Sequence, residues 1–225
     1  MRNIIPLLVL IFSGTLYAQN ANTKTLESFT ELKVFDRIRV TLEKSTENKL
    51  VITGDDKDEV NISNKNGLLK IKMEFDNFMD GDEAKATLYY TSELTLIDTN
   101  ENAKVVSDET LTASHIEIKT QEGGQIELKV QSEELYVKSV SGGEITLSGN
   151  AQQQEVTVNT GGKVYNENLE TVTTNVTVSA GGRAEVNATD KVEAKVKAGG
   201  SIYIYGNPKA VDSNKVFGGK IEIIE

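Results

Sequence analysis

Two carboxylates nineteen residues apart, Glu193 and Asp212, are the pair in this sequence best spaced for chemistry on one surface. Hydrolysis of a glycosidic bond needs two acids facing one groove, one to protonate the leaving oxygen and one to attack or to activate water. The pair ends a longer series at similar spacing, Glu117, Tyr136, Glu155, Asn175, Glu193 and Asp212, in which only the last two acids are consecutive. If successive members lie on neighbouring strands, acids in alternate members stand about 9.6 Å apart, too far for bidentate sharing of one ion. Beside it runs Lys119, Lys138, Thr157, Thr177, Lys195 and Asn214, and lysines next to glutamates on an exposed face make weak cross-strand pairs. His115 is the single histidine and cysteine is absent, so neither a zinc site of the usual ligand set nor a nucleophile–histidine pair can be assembled. The run Asp76–Glu83 has the acidity of a calcium loop, but Phe78 falls at the third ligand position and Thr87 at the twelfth. It reads as an acidic loop whose Phe75, Phe78 and Met79 either dock on a partner or, the favoured reading because a solenoid end needs a cap, fold back over one end of the molecule. Tyr165, Tyr203 and Tyr205 offer rings for stacking on sugars, or serve simply as good strand formers. The residues thus predict no catalytic, cofactor-binding or metal site.

These side chains are positioned by a repeat. Glycine pairs stand at Gly123-Gly124, Gly142-Gly143, Gly161-Gly162, Gly181-Gly182, Gly199-Gly200 and Gly218-Gly219, with spacings of 19, 19, 20, 18 and 19 residues. Three residues after each first glycine come Ile126, Ile145, Val164, Ala184, Ile202 and Ile221. Two further on stand Leu128, Leu147, Asn166, Val186, Ile204 and Ile223. Ile118, Val137, Val156, Val176, Ala194 and Ser213 precede the pairs by five. Polar residues alternate with these positions, the period of strands that bury one face. A nineteen-residue unit cannot bury its own apolar side, but copies stacked about 4.8 Å apart can. The expected fold is all-β: a right-handed, single-stranded parallel β-helix of about 19-residue coils. The glycine pairs are assigned to structural turns, because glycine supplies positive φ and close approach between coils, and a ligand needs one site rather than six.

Three segments are expected. Residues 1–18 carry Arg2, the apolar run Ile4–Phe12 and a small-residue end at Ala18, the pattern of a cleaved signal peptide. Residues 19–90 alternate less regularly, with an Asn66-Gly67 hairpin turn, and are expected to cap the solenoid. Residues 91–225 hold the regular coils, continuous with that cap. Without the signal, 34 acidic side chains face 23 basic ones. Such a surface repels nucleic-acid phosphates, and no later stretch is long or apolar enough to span a bilayer.

The opening Val34-Phe35-Asp36-Arg37-Ile38-Arg39-Val40, the corner Ser141-Gly142-Gly143-Glu144-Ile145 and the ending Tyr203-Ile204-Tyr205-Gly206-Asn207-Pro208 together resemble the GIN domain. That domain is assigned to the heads of auto-transporter adhesins in the envelopes of Bacteroidetes-like bacteria. The resemblance spans Leu26 to Glu225. It departs from the family where the corners carry Gly-Gly followed by charged or polar residues rather than Ser-Gly-small-Gly. It implies a β-helix, a role in adhesion or envelope interaction, and no catalytic residues. Two functions follow as expectations: a non-catalytic, exported binding module whose partner is a glycan or an envelope protein, and, as the alternative, a polysaccharide lyase or glycosidase on the same scaffold. The location expected is periplasm, outer surface or medium.

Overall fold

The computed structural model describes residues 21–74 and 84–224. The signal segment Met1–Ala18 and the acidic run Asp76–Glu83 lie outside the described residues. Seven short strands come first: β1 (Asn22–Thr25), β2 (Glu31–Val34), β3 (Arg39–Lys44), β4 (Lys49–Thr53), β5 (Val60–Lys65), β6 (Leu68–Met73) and β7 (Lys85–Tyr90). Then come β8 (Leu96–Thr99), β9 (Lys104–Thr112), β10 (His115–Thr120), β11 (Gln125–Ser139), β12 (Glu144–Val158), β13 (Lys163–Val178) and β14 (Arg183–Ala198). β15 (Ser201–Tyr205), β16 (Ala210–Phe217) and β17 (Lys220–Ile223) end the series.

Alternating burial makes these strands, and a slip in the alternation folds each coil in two. In β11 buried residues alternate with exposed ones until Glu133 and Glu134, which are both exposed; alternation then resumes in the opposite phase. The strand bends there, so Ile126, Leu128 and Val130 on a front face meet Leu135 and Val137 on a back face in one core. The other corner is a four-residue turn. Gly162 N donates to Asn159 O at 3.0 Å, and Thr160 and Gly161 between them both take positive φ. Both angles positive is the signature of a type I′ turn, whose twist suits the strands it joins. Copies of this coil pair in parallel from β8 to β17, with Ile126 beside Ile145, Ile145 beside Val164, and Val164 beside Ala184. The architecture is the right-handed parallel β-helix that the repeat predicts, about seven coils at 19-residue spacing.

The stack does not stop at the regular repeats. β2 and β3 form a further coil, turning at Asp36 (φ 58) and Arg37 (φ 61) without any glycine. β6 and β7 form another, and the two are threaded out of order. β2 pairs β6 on one side and β8 on the other, while β3 pairs β7 and β9. The first coil in the chain is therefore second in space. Antiparallel strands finish this end: β4 lies along β7, β1 along β4, and β5 along β6 through the Asn66-Gly67 turn.

At the opposite end, the inward columns of β14 change character on reaching β16. Ala194 and Val196 are followed in register by Ser213 and Lys215, both exposed. Phe217 and Ile223 are 75% and 51% exposed. Within the core, Asn166 takes the inward place that Leu147 and Val186 fill in flanking coils. It is fully buried, and neither polar atom of its side chain has a hydrogen-bond partner among the described residues.

Candidate functional site

The back face carries the residues with the acid spacing. Glu117, Tyr136, Glu155, Asn175, Glu193 and Asp212 are direct register partners, each opposite the next. Glu193 and Asp212 are thus neighbours on adjacent strands, on an open surface. Lys191 contacts Glu193, and Lys119 meets Glu117 at 2.6 Å. These are surface ion pairs, worth little individually. The His115 ring lies 5.0 Å from that of Tyr136, and its Nδ1 is 3.4 Å from Glu134 Oε2. Among the described residues no three histidine, aspartate or glutamate side chains converge as metal ligands.

The front face is organised more tightly. Register sets its outward side chains in rows that cross every coil. One row runs Lys85, Arg39, Lys104, Gln125, Glu144, Lys163, Arg183, Ser201 and Lys220. The next runs Thr87, Thr41, Val106, Glu127, Thr146, Tyr165, Glu185, Tyr203 and Glu222. Glu185 therefore lies between Tyr165 and Tyr203, in the coil that separates them. Only 7% of it is exposed, and a carboxylate so covered needs partners. It has them: Arg183 donates from Nε at 2.8 Å and from Nη2 at 2.6 Å, both to Oε1, and the Tyr205 hydroxyl donates to Oε2 at 3.3 Å. The guanidinium so held lies 4.4 Å over the Tyr203 ring, and Lys220 Nζ stands 5.1 Å from the same ring. The hydrogen bonds that Arg183 donates to Glu185 raise the pKa of the guanidinium, while burial and then the Glu185 charge raise that of Tyr205. With both guanidinium bonds on one oxygen and a phenol on the other, both carboxylate oxygens of Glu185 are engaged in holding its neighbours. The arrangement is suited to recognition: aromatic and cationic surface fixed before any ligand arrives.

The spacing of Tyr165 and Tyr203 in the sequence, two coils apart, conceals this cluster. The signal that exposes it is the residue between them in register, Glu185, flanked by Arg183 in the same strand.

A different carboxyl group titrates unusually. The turns at Asp36-Arg37, Glu101-Asn102 and Glu122-Gly123 stack, with Arg37 N donating to Glu101 O at 2.9 Å and Asn102 N to Glu122 O at 3.0 Å. This brings three acids together. The Asp36 side-chain hydrogen bond, then burial and the charges of Asp36 and Glu122, push the Glu101 pKa up to about 7. A folded-state value above the ordinary carboxyl range means that the folded chain holds this proton more tightly than the unfolded one. Its stabilising effect is complete below about pH 4.5 and is lost as pH rises to about 7. Glu101→Gln, neutral at every pH, should therefore raise the melting temperature at pH 8 and leave it unchanged at pH 4. Equal gains at both pH values would mean that carboxylate repulsion is not the cause.

Comparison with known proteins bears on the whole chain. The family model described as "Putative auto-transporter adhesin, head GIN domain" matches residues 28–208. No curated protein matches at a significant level. Among solved structures, the "putative adhesin" of Bacteroides fragilis NCTC 9343 is 22% identical, with 91% of this chain and 96% of that one covered at a TM-score of 0.81. The "putative adhesin" of Parabacteroides distasonis ATCC 8503 is 21% identical, covering 91% and 96% at 0.72. A "putative lipid binding protein" of the same organism is 16% identical, covering 92% and 98% at 0.67. At these identities the likeness concerns the fold.

Proposed function

Because this chain belongs to the GIN-domain family of auto-transporter adhesin heads, we propose that it is a non-catalytic binding module of the bacterial envelope, exported through a signal peptide cleaved after Ala18. The observation that carries this reading is the Arg183–Glu185–Tyr203–Tyr205 cluster on the front face. A carboxylate that is 7% exposed holds the cation over the ring, so the surface is rigid and already desolvated in part. Aromatic and arginine side chains with little freedom left to lose are the usual anchors of recognition surfaces. The partner is a glycan, met by ring edges and hydrogen-bonding groups, or an envelope protein.

A glycan array run beside turnover assays on the same sugars tests the proposal. Retention of a ligand without product release is expected, and Tyr203→Ala with Arg183→Ala should cut retention at least tenfold. Turnover that falls tenfold on replacing His115, Glu193 or Asp212 would instead make the protein a carbohydrate-active enzyme.

A further inference from the structure

We propose that the groove at the capped end of the front face is a second binding site, for a compact anion of the phosphate type. Lys85 of β7, Arg39 of β3 and Lys104 of β9 are direct register partners on three adjacent strands. Strand spacing sets their stems about 4.8 Å apart. Like charges directly opposite one another repel. Yet the fold gathers three of them on a chain whose formal charge is −10. Together with Thr41, Thr53 and Thr87 they line a concavity of about 480 Å³, the size of a small-ligand site. Thr53 reaches it from the antiparallel strand β4, opposite Lys85, so the capping strands widen the floor of the groove. Gln125 and Glu144 follow Lys104 in the row and end the basic stretch.

Ammonium and guanidinium donors beside hydroxyl groups suit an oxyanion, which accepts several charge-assisted hydrogen bonds at once. No member of the trio needs to be unpaired. Lys104 already meets Glu127 at 3.6 Å, and a partly exposed pair of this kind rearranges at small cost. The acidic remainder of the surface repels a long polyanion, so the ligand is a single compact group. Its phosphate is either free or esterified to a sugar. The inference stands whether or not the tyrosine cluster binds a glycan, because the two sites share no residue.

Calorimetric titration of the chain with inorganic phosphate, glucose 6-phosphate, glucose and heparin at low salt tests it. Both phosphates should bind saturably and glucose should not. Tighter binding of the sugar phosphate identifies an esterified ligand; equal affinity identifies free phosphate. Lys85→Gln combined with Lys104→Gln should weaken both at least tenfold. Lys163→Gln, further along the same row, should leave them unchanged. Each single substitution should weaken binding at least threefold, which keeps the test open if the double variant unfolds. Absence of saturable phosphate binding, undiminished binding by the folded double variant, or preference for heparin would overturn the assignment.

Discussion

Ile145→Asp is expected to cost several kcal/mol and to unfold a large part of the stack, while Thr146→Lys, one residue away, changes stability by less than about 0.5 kcal/mol. Ile145 is completely buried, with Ile126 and Val164 beside it in register. An aspartate there forfeits roughly 2 kcal/mol of apolar burial and adds a desolvation cost of several more. No cation from either flanking coil reaches that column, since both partners are aliphatic. Thr146 stands in the outward row between Glu127 and Tyr165, where a lysine meets an acid on one side and a ring on the other. Urea unfolding of both variants, followed by two spectroscopic probes because solenoids can unfold in parts, gives the comparison. Equal tolerance at the two positions would mean that the front face is not the one assigned.

The second large effect separates the two glycines of a corner. Gly162→Ala should destabilise by about 3 kcal/mol, at the upper end of overpacking costs. A Cβ at this position would stand 2.4 Å from the Ser139 backbone oxygen and 2.7 Å from its hydroxyl. That hydroxyl is occupied: it donates to Gly143 O at 2.6 Å and accepts from Lys163 N at 3.2 Å, so it cannot move aside without loss. Gly161→Asn should instead stay within about 1 kcal/mol. Gly161 has φ +70 with nothing within 4 Å of the added atom, and asparagine adopts this conformation more readily than other side-chain-bearing residues. The first glycine is there for its backbone angle and the second for space. Thermal unfolding that ranks the two variants the other way would show those roles reversed.

What the sequence made legible was whatever repeats at one period. The columns headed by Ile126 and Leu128, the corners and the outward series ending at Asp212 all fall where nineteen-residue counting puts them. The turn at Asp36-Arg37 did not stand out, because its positive φ values are carried by residues other than glycine. Nor did the threading of β2 between β6 and β8: antiparallel and out-of-order pairings are set by burial and turn geometry, which leave no fixed spacing to count. The candidate sites follow the same division. The row containing Lys163 and Arg183 is visible after the glycine pairs, but its extension to Lys104, Arg39 and Lys85 needs the N-terminal register. The Glu185 cluster was hidden for a different reason. Tyr165, Glu185 and Tyr203 each stand four residues after the first glycine of a pair, but the closure of Arg183 and Tyr205 on Glu185 is set by side-chain geometry, which no spacing records.

The interleaved coils also bear on how the molecule assembles. From β10 onward each coil meets the one made about twenty residues earlier, so the regular stack can grow by local steps with modest loop-closure cost. β2 and β3 have no such neighbour at hand. They gain one flank only when β6 and β7 return, and the other only when β8 and β9 have formed, some 65 residues downstream. β2 and β3 thus wait longer for their second flank than any coil of the regular stack does. A chain emerging from its amino end would keep this segment open until about Val106 is available, and its completion would join the cap to the growing rod in a single event.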